Sequence, residues 1–168
     1  MDDIILETDR LLLRYQRDED FDFIVELWTN EIITRYVGGP RNINTLSESI
    51  KNVALDPKKE RHDLWYIVLK NSKKLIGMAG LLSKEINNEK FYEINYFIEE
   101  KHWNKGFATE ITNGIMDHFL KTEAIKTFIA IIDKENIASI KVAGKIGMKY
   151  WKTEIRGSGV KDIYKVVF

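Results

Sequence analysis

Apolar positions recur along this chain with two periods, and the changes of period mark its elements. Asp9 to Tyr15, Asp-Arg-Leu-Leu-Leu-Arg-Tyr, is a short apolar run with basic ends and predicts a strand. Asp18 or Asp20 then caps a helix whose inner face carries Phe21, Ile24, Trp28 and Ile32. Gly38-Gly39-Pro40 breaks it. A second helix is expected near Thr45, where Thr45-x-x-Glu48 is a capping box, and it stops before Asp56-Pro57. Leu64 to Leu69, Leu75 to Leu82 and Phe91 to Ile98 read as strands. Asn71-Ser72-Lys73 and Asn87-Asn88 supply turn chemistry between them, which predicts an antiparallel meander.

The pattern then changes. Lys105-Gly106-Phe107-Ala108-Thr109 opens a segment with Ile111, Ile115, His118 and Phe119 on one helical face. The unbroken run Thr127 to Ile132 suits a strand buried on both faces. Strand, helix and buried strand make a βαβ unit, so the flanking strands should be parallel. Asn136 caps a further helix with Ile140, Ala143 and Ile146 inward, and Gly147 ends it. Strands Lys149 to Arg156 and Asp162 to Phe168 follow, joined by Gly157-Ser158-Gly159. The sum is an α/β (α+β) fold, with one mixed, mostly antiparallel sheet of about seven strands and four helices.

At 168 residues, with no Pro- or Ser-rich linker, one domain over the whole chain is expected. Lys and Arg total 26 and Asp and Glu total 26, so the formal charge is zero. That removes the usual electrostatic argument for a nucleic-acid or anionic-membrane partner. Without cysteine, disulfides, thiolate catalysis and Cys-based metal sites are excluded, which fits a reducing compartment. The opening Met-Asp-Asp-Ile-Ile-Leu-Glu is acidic where a signal peptide would be basic, and no apolar stretch reaches membrane-spanning length. The expectation is a soluble cytoplasmic protein.

Three segments carry candidate chemistry. In Trp103-Asn104-Lys105-Gly106-Phe107-Ala108-Thr109, successive N–H groups and a helix N-terminus favour a phosphate or pyrophosphate. The alternative is a plain helix start. In Phe91 to Ile98, alternation puts Glu93, Asn95 and Phe97 on one face and Tyr92, Ile94 and Tyr96 on the other. Glu93, desolvated among aromatics, would suit general-base work; otherwise it is an exposed partner for a lysine. Asn136-Ile137-Ala138-Ser139 is a helix cap, or a polar pair projecting into a cleft. His62, His102 and His118 lack metal-ligand spacing and a carboxylate at helical spacing, so no metal site is expected, and His102 reads as solvent-exposed. Lys141, Lys145, Lys149 and Lys152 read as a solvated basic face, with phosphate contact as the alternative.

The order of these segments resembles the GNAT superfamily of acetyl-CoA-dependent N-acetyltransferases, and within it the RimJ/RimL type. Thr8 to Arg14 is similar to that group's opening strand, Leu75 to Leu81 to its third strand, and Glu93-Ile94-Asn95-Tyr96 to its fourth. Trp103 to Thr109 resembles the coenzyme A loop, and Asn136 to Ser139 with Lys145 to Met148 the final helix. The resemblance implies a central parallel strand pair splayed around acetyl-CoA. It implies pantetheine bonded to backbone near Ile98, and pyrophosphate held by Asn104, Lys105, Gly106, Phe107, Ala108 and Thr109, with Asn136 nearby. Trp103 stands where the general motif has Gln or Arg, and Asn95 where glycine is common. Ala143 stands where many members carry a tyrosine general acid. Ser139 matches the serine thought to replace that tyrosine.

The function so implied is direct acetyl transfer to a primary amine, on a protein N-terminus or a small molecule, with Glu93 as base. No metal, nucleic acid or membrane is expected to take part, and a homodimer is compatible with the family. The rival reading is a non-catalytic acyl-CoA-binding sensor or interaction module, which would need the Gly106 loop but neither Glu93 nor Ser139. The loops at Arg35 to Asn44 and Arg156 to Lys161 are expected to border the acceptor.

Overall fold

The computed structural model describes residues 3–56, 58–156 and 159–168. Its strands are β1 (Ile4–Glu7), β2 (Leu11–Arg14), β3 (Leu64–Leu69), β4 (Leu75–Ile86), β5 (Glu89–Ile98), β6 (Thr127–Asp133), β7 (Lys149–Arg156) and β8 (Gly159–Val167). They form a single sheet of eight strands in the order β1-β2-β3-β4-β5-β6-β8-β7. Every neighbouring pair is antiparallel except β5 and β6. The meander expected from the short turns is present. Its Asn87-Asn88 hairpin has φ of 53° and 63°, the left-handed pair that tight hairpins use.

Four helices of nine or more residues accompany the sheet: α1 (Phe21–Thr29), α3 (Ile43–Leu55), α4 (Phe107–Glu123) and α5 (Ile137–Lys145). One short turn, α2 (Glu31–Thr34), lies between α1 and α3. The departures from the sequence reading have local causes. β1 exceeds the expected seven strands because its four residues are too few to show a period, and pairing with β2 defines it. The first helix does not run through Ile32. Asn30 takes an extended conformation, and its side chain accepts from the Ile32 and Ile33 N–H groups, starting α2 and leaving Ile32 51 % exposed. The cap of α3 is Asn42, whose Oδ1 accepts from Asn44 and Thr45 N–H, so Thr45 lies inside the helix. Pro57 and the Gly157-Ser158 joint lie outside the described residues.

The sheet divides the core. On one face α4 and α5 cover Leu11, Leu13, Trp65, Ile67, Ile94 and Phe128. On the other α1 and α3 pack Ile24, Leu27 and Ile50 against Tyr66, Met78 and Phe97. Gly77 lets β4 approach β5, since a Cβ there would collide with the Phe97 carbonyl oxygen. The feature that positions the site is the parallel pair. Only Tyr92↔Phe128 and Glu93↔Ile129 are in register. Beyond Glu93 the two strands part. Phe128 and Ile129 are therefore buried on both faces, whereas Ala130 and Ile131, expected to be buried with them, are only half-buried.

Candidate active site

The gap between β5 and β6 opens into a cleft of about 590 Å³. Its walls come from Ile94 to Ile98 of β5, Ala130 to Asp133 of β6, the α4 entry, α5, and the Ile32–Val37 region. Glu99 N–H donates to Ile76 O, so alternation turns the backbone groups of Tyr96 and Ile98 away from β4 and towards the gap. The Ile98 carbonyl is taken: Trp103 Nε1–H donates to it at 2.7 Å. This gives Trp103 a role in place of Gln or Arg, tying the end of β5 to the loop that follows.

That loop ends in Gly106 at φ 81°, with Asn104 at φ 58° before it. Gly106 is the N-cap of α4 and has no side chain to cap it. The first-turn N–H groups at Phe107, Ala108 and Thr109 are therefore left for an acceptor from the cleft, at the positive end of a 17-residue helix. This is the arrangement a pyrophosphate needs. Of the residues assigned to it by sequence, Asn104, Gly106, Phe107, Ala108 and Thr109 border the cleft, as do Ile98 and Asn136. Lys105 does not: its Nζ donates to Lys101 O at 2.8 Å and leaves only its backbone at the loop.

The loop is held from behind by residues the sequence reading left as strand. Thr8 Oγ1, Arg10 N and Arg10 Nε donate to the Glu110 carboxylate at 2.6, 2.8 and 2.6 Å. Arg10 Nη1 donates to Lys105 O at 3.0 Å, and the guanidinium lies 4.5 Å over the Phe107 ring. Burial pushes the Glu110 carboxyl up, but the bonds from Thr8 and Arg10 outweigh it and hold it below the ordinary range. These contacts span 95 residues or more of sequence, which hides them from pattern reading. Arg10→Ala is expected to weaken coenzyme A binding in calorimetry by about three- to tenfold, a modest loss because the guanidinium is half exposed.

Glu93 is 7 % exposed and stands at the last register pair before the strands part. It lies on the sheet face opposite α4, with Asn95 and Phe97, as alternation required. Lys84 Nζ is 3.5 Å from its carboxylate. Burial pushes its carboxyl up, while Lys84, Asn95 and Arg156 pull it part of the way back. Glu93 is thus a lysine's partner but not the exposed one that the alternative reading expected: it is buried, and it does not line the cleft.

On the α4/α5 face, Tyr96 Oη donates to Ser139 Oγ at 3.1 Å, and Ser139 N–H donates to Asn136 Oδ1 at 3.1 Å. Tyr96, Asn136 and Ser139 all border the cleft, so Asn136 is both a cap and a wall. Tyr96 was not singled out by sequence, where it was one aromatic among several.

The histidines need correcting. His102 is 12 % exposed at its side chain and sits 3.6 Å from Glu99, its partner three residues back. The turn at Glu100 to His102 brings that pair together. His62 Nε2 lies 2.9 Å from Glu123 Oε2. The lysine run splits: Lys141 and Lys145 border the cleft, while Lys152 pairs with Glu154 at 2.6 Å. On the expected acceptor side, Lys161 Nζ donates to Asp133 Oδ2 at 2.7 Å and to Tyr36 O at 3.3 Å. It ties β8 to the end of β6 and to the Arg35–Val37 wall. Among the described residues, no group of three or more His, Asp or Glu is placed to hold a metal ion, and no helix is long and apolar enough to cross a membrane.

Comparison with known proteins agrees with this geometry. The family model of the GNAT acetyltransferase domain matches residues 10–149. YoaA of Bacillus subtilis (strain 168), described as an uncharacterised N-acetyltransferase, is 30 % identical over 148 residues, covering 86 % of this chain and 82 % of its own. Among solved structures, a Salmonella typhimurium acetyltransferase that modifies the N-terminal serine of a 50S ribosomal subunit protein superposes with TM-score 0.78 at 16 % identity, over 98 % of this chain and 99 % of its own. The microcin C7 self-immunity acetyltransferase MccE, solved with acetyl-CoA and AMP, superposes with TM-score 0.76 at 20 % identity, over 95 % of this chain and 93 % of its own.

Proposed function

The chain belongs to the GNAT acetyltransferase family, and from that premise we propose that it moves an acetyl group from acetyl-CoA directly to a primary amine, on a protein N-terminus or a small molecule. The observation that supports this reading is the parting of β5 and β6 just beyond Glu93, with uncapped α4 donors at one end of the gap. The N–H groups of Phe107, Ala108 and Thr109, with the backbone of Asn104 and Lys105, hold the pyrophosphate. Lys141 and Lys145 face the same cleft as charge partners. The backbone of Tyr96 and Ile98 lines the pantetheine arm, and an N–H near Ile98 meets the developing oxyanion.

A free amine is protonated at neutral pH and attacks a thioester only after losing that proton. Glu93 takes it, directly or through water. Ser139 gives a proton to the departing thiolate, in place of the tyrosine that Ala143 lacks. The acceptor enters beside Arg35, Tyr36 and Val37. An N-terminal α-amine is the favoured acceptor class, since the Salmonella neighbour acts on one. The proposed setting is the cytoplasm.

Free-thiol release from acetyl-CoA across a panel of amines and N-terminal peptides tests the reading. Turnover with at least one member is expected. Tight acetyl-CoA binding by calorimetry with no turnover on any member would favour the sensor reading instead.

A further inference from the structure

Ala143 is buried and carries no proton, so α5 does not supply the acid from that position. A tyrosine hydroxyl reaches the cleft from the sheet instead. Tyr96 lies past the last residue of β5 paired with β6, on the face that α4 and α5 cover. Its Oη donates to Ser139 Oγ at 3.1 Å. A hydroxyl oxygen has one proton to give and lone pairs that accept. With Tyr96 donating to its oxygen, the proton of Ser139 is free to turn into the cleft. Asn136 Oδ1 fixes the same residue through its backbone N–H. The serine is thus held from two sides, with the phenol behind it.

We propose that Tyr96 is a positioning residue that acts through Ser139, aligning the serine hydroxyl and replacing its proton as that proton passes to the departing thiolate. The proposal rests on the reading of Ser139 as the proton donor. The amine nitrogen bonds to the acetyl carbon, the carbon–sulfur bond breaks, and its electron pair stays on sulfur. The Ser139 proton moves to sulfur, the Tyr96 proton moves to Ser139 Oγ, and water reprotonates the phenolate. Glu93, on the opposite face of β5, passes the ammonium proton to solvent before attack; the second proton that nitrogen sheds as the amide forms goes to water and balances the one that water returns to the phenolate. The net products are an amide and a thiol. A lone serine is a far weaker acid than a thiol, so it needs a group behind it. A phenol, at about 10, is much nearer a thiol, at about 8.5. Burial pushes the Tyr96 phenol up, the bond to Ser139 only partly offsetting this, so it stays protonated at neutral pH.

The test uses acetyl-CoA with the best acceptor from the panel of amines and N-terminal peptides, for wild type, Tyr96→Phe, Ser139→Ala and the double variant. Tyr96→Phe should lower kcat by about 10- to 100-fold while KM for acetyl-CoA and the melting temperature hold. The double variant should be no slower than Ser139→Ala, because the two groups act as one unit. Acetyl-seleno-CoA, whose selenolate leaves without a proton, should restore Tyr96→Phe towards wild type; a merely structural role would show no such rescue. If Ser139→Ala is slow while Tyr96→Phe matches wild type, the relay is wrong and the donor reading stands. If Ser139→Ala is unimpaired, or wild type does not turn over, the underlying reading fails and takes the relay with it.

Discussion

Glu93→Gln is expected to lower kcat for acetyl transfer by about 10²- to 10⁴-fold, the usual contribution of a positioned general base, and to leave acetyl-CoA affinity unchanged. The separation of effects follows from the geometry. Glu93 is buried outside the cleft lining, on the α1/α3 side of the sheet, while the pyrophosphate donors sit at the α4 N-terminus on the other. Glutamine keeps the shape and loses only the ability to accept a proton. The acid limb of the wild-type pH–rate profile should lie above the ordinary carboxylate range, because burial pushes the Glu93 carboxyl up against the pull of Lys84, Asn95 and Arg156. Below that limb the carboxyl is protonated and cannot act as a base, so activity falls as pH falls. The same shift fixes the sign for stability. A carboxyl raised by folding binds its proton more tightly in the native state. Its contribution is therefore most favourable at low pH and is lost as pH rises through the native value. Glutamine removes this cost, so the variant should melt no lower than wild type at neutral pH. Undiminished turnover by Glu93→Gln would remove Glu93 as the base.

What the sequence disclosed and what it concealed divide by distance along the chain. The Gly106 loop was legible because a glycine, a polar approach and a helical period are adjacent in sequence. Glu93 was placed on its face by alternation, and the parallel β5–β6 pair by the helix between them. The helix break at Asn30 was hidden because the apolar spacing of Phe21, Ile24, Trp28 and Ile32 continues across it. The strongest departures are long-range. Tyr96 meets Ser139 across 43 residues, and Thr8 and Arg10 meet Glu110 across 102 and 100. No period encodes such pairs, since each depends on where two elements meet after folding. The base candidate Glu93 therefore emerged by pattern and the acid candidate Ser139 by resemblance, while Tyr96, on the other face of the Glu93 strand, emerged only by contact.

Asp20→Ala is expected to cost about 3–5 kcal/mol of stability, the penalty for stranding a buried charge. For a chain of this size that lowers the melting temperature by roughly 6–20 °C. Arg14 and Asp20 are 7 % and 3 % exposed. Arg14 Nη1 and Nη2 donate to the two Asp20 oxygens at 2.7 and 2.8 Å, and Arg17 N–H adds a bond of 2.8 Å. Beside this fork, Tyr66 Oη donates to Gln16 Oε1 at 2.8 Å, and Gln16 Nε2 donates to Ile50 O at 3.0 Å. Together these bonds fasten β2 to the start of α1 and to the middle of α3. The alanine variant leaves the Arg14 guanidinium buried with only the Tyr15 carbonyl at 2.9 Å as acceptor. The pair itself contributes less than its rupture costs, because both ions were desolvated to make it. Replacing both residues at once, Arg14→Met with Asp20→Leu, should therefore recover most of the loss. Urea titration of wild type and the single and double variants checks this. A single variant as stable as wild type would show that the fork is not desolvated. Because α1 leads into α2 and the Arg35–Val37 wall, any residual effect on turnover in the double variant should fall on the acceptor's KM. The anion loop, held by Arg10 and Glu110, should keep its affinity for coenzyme A.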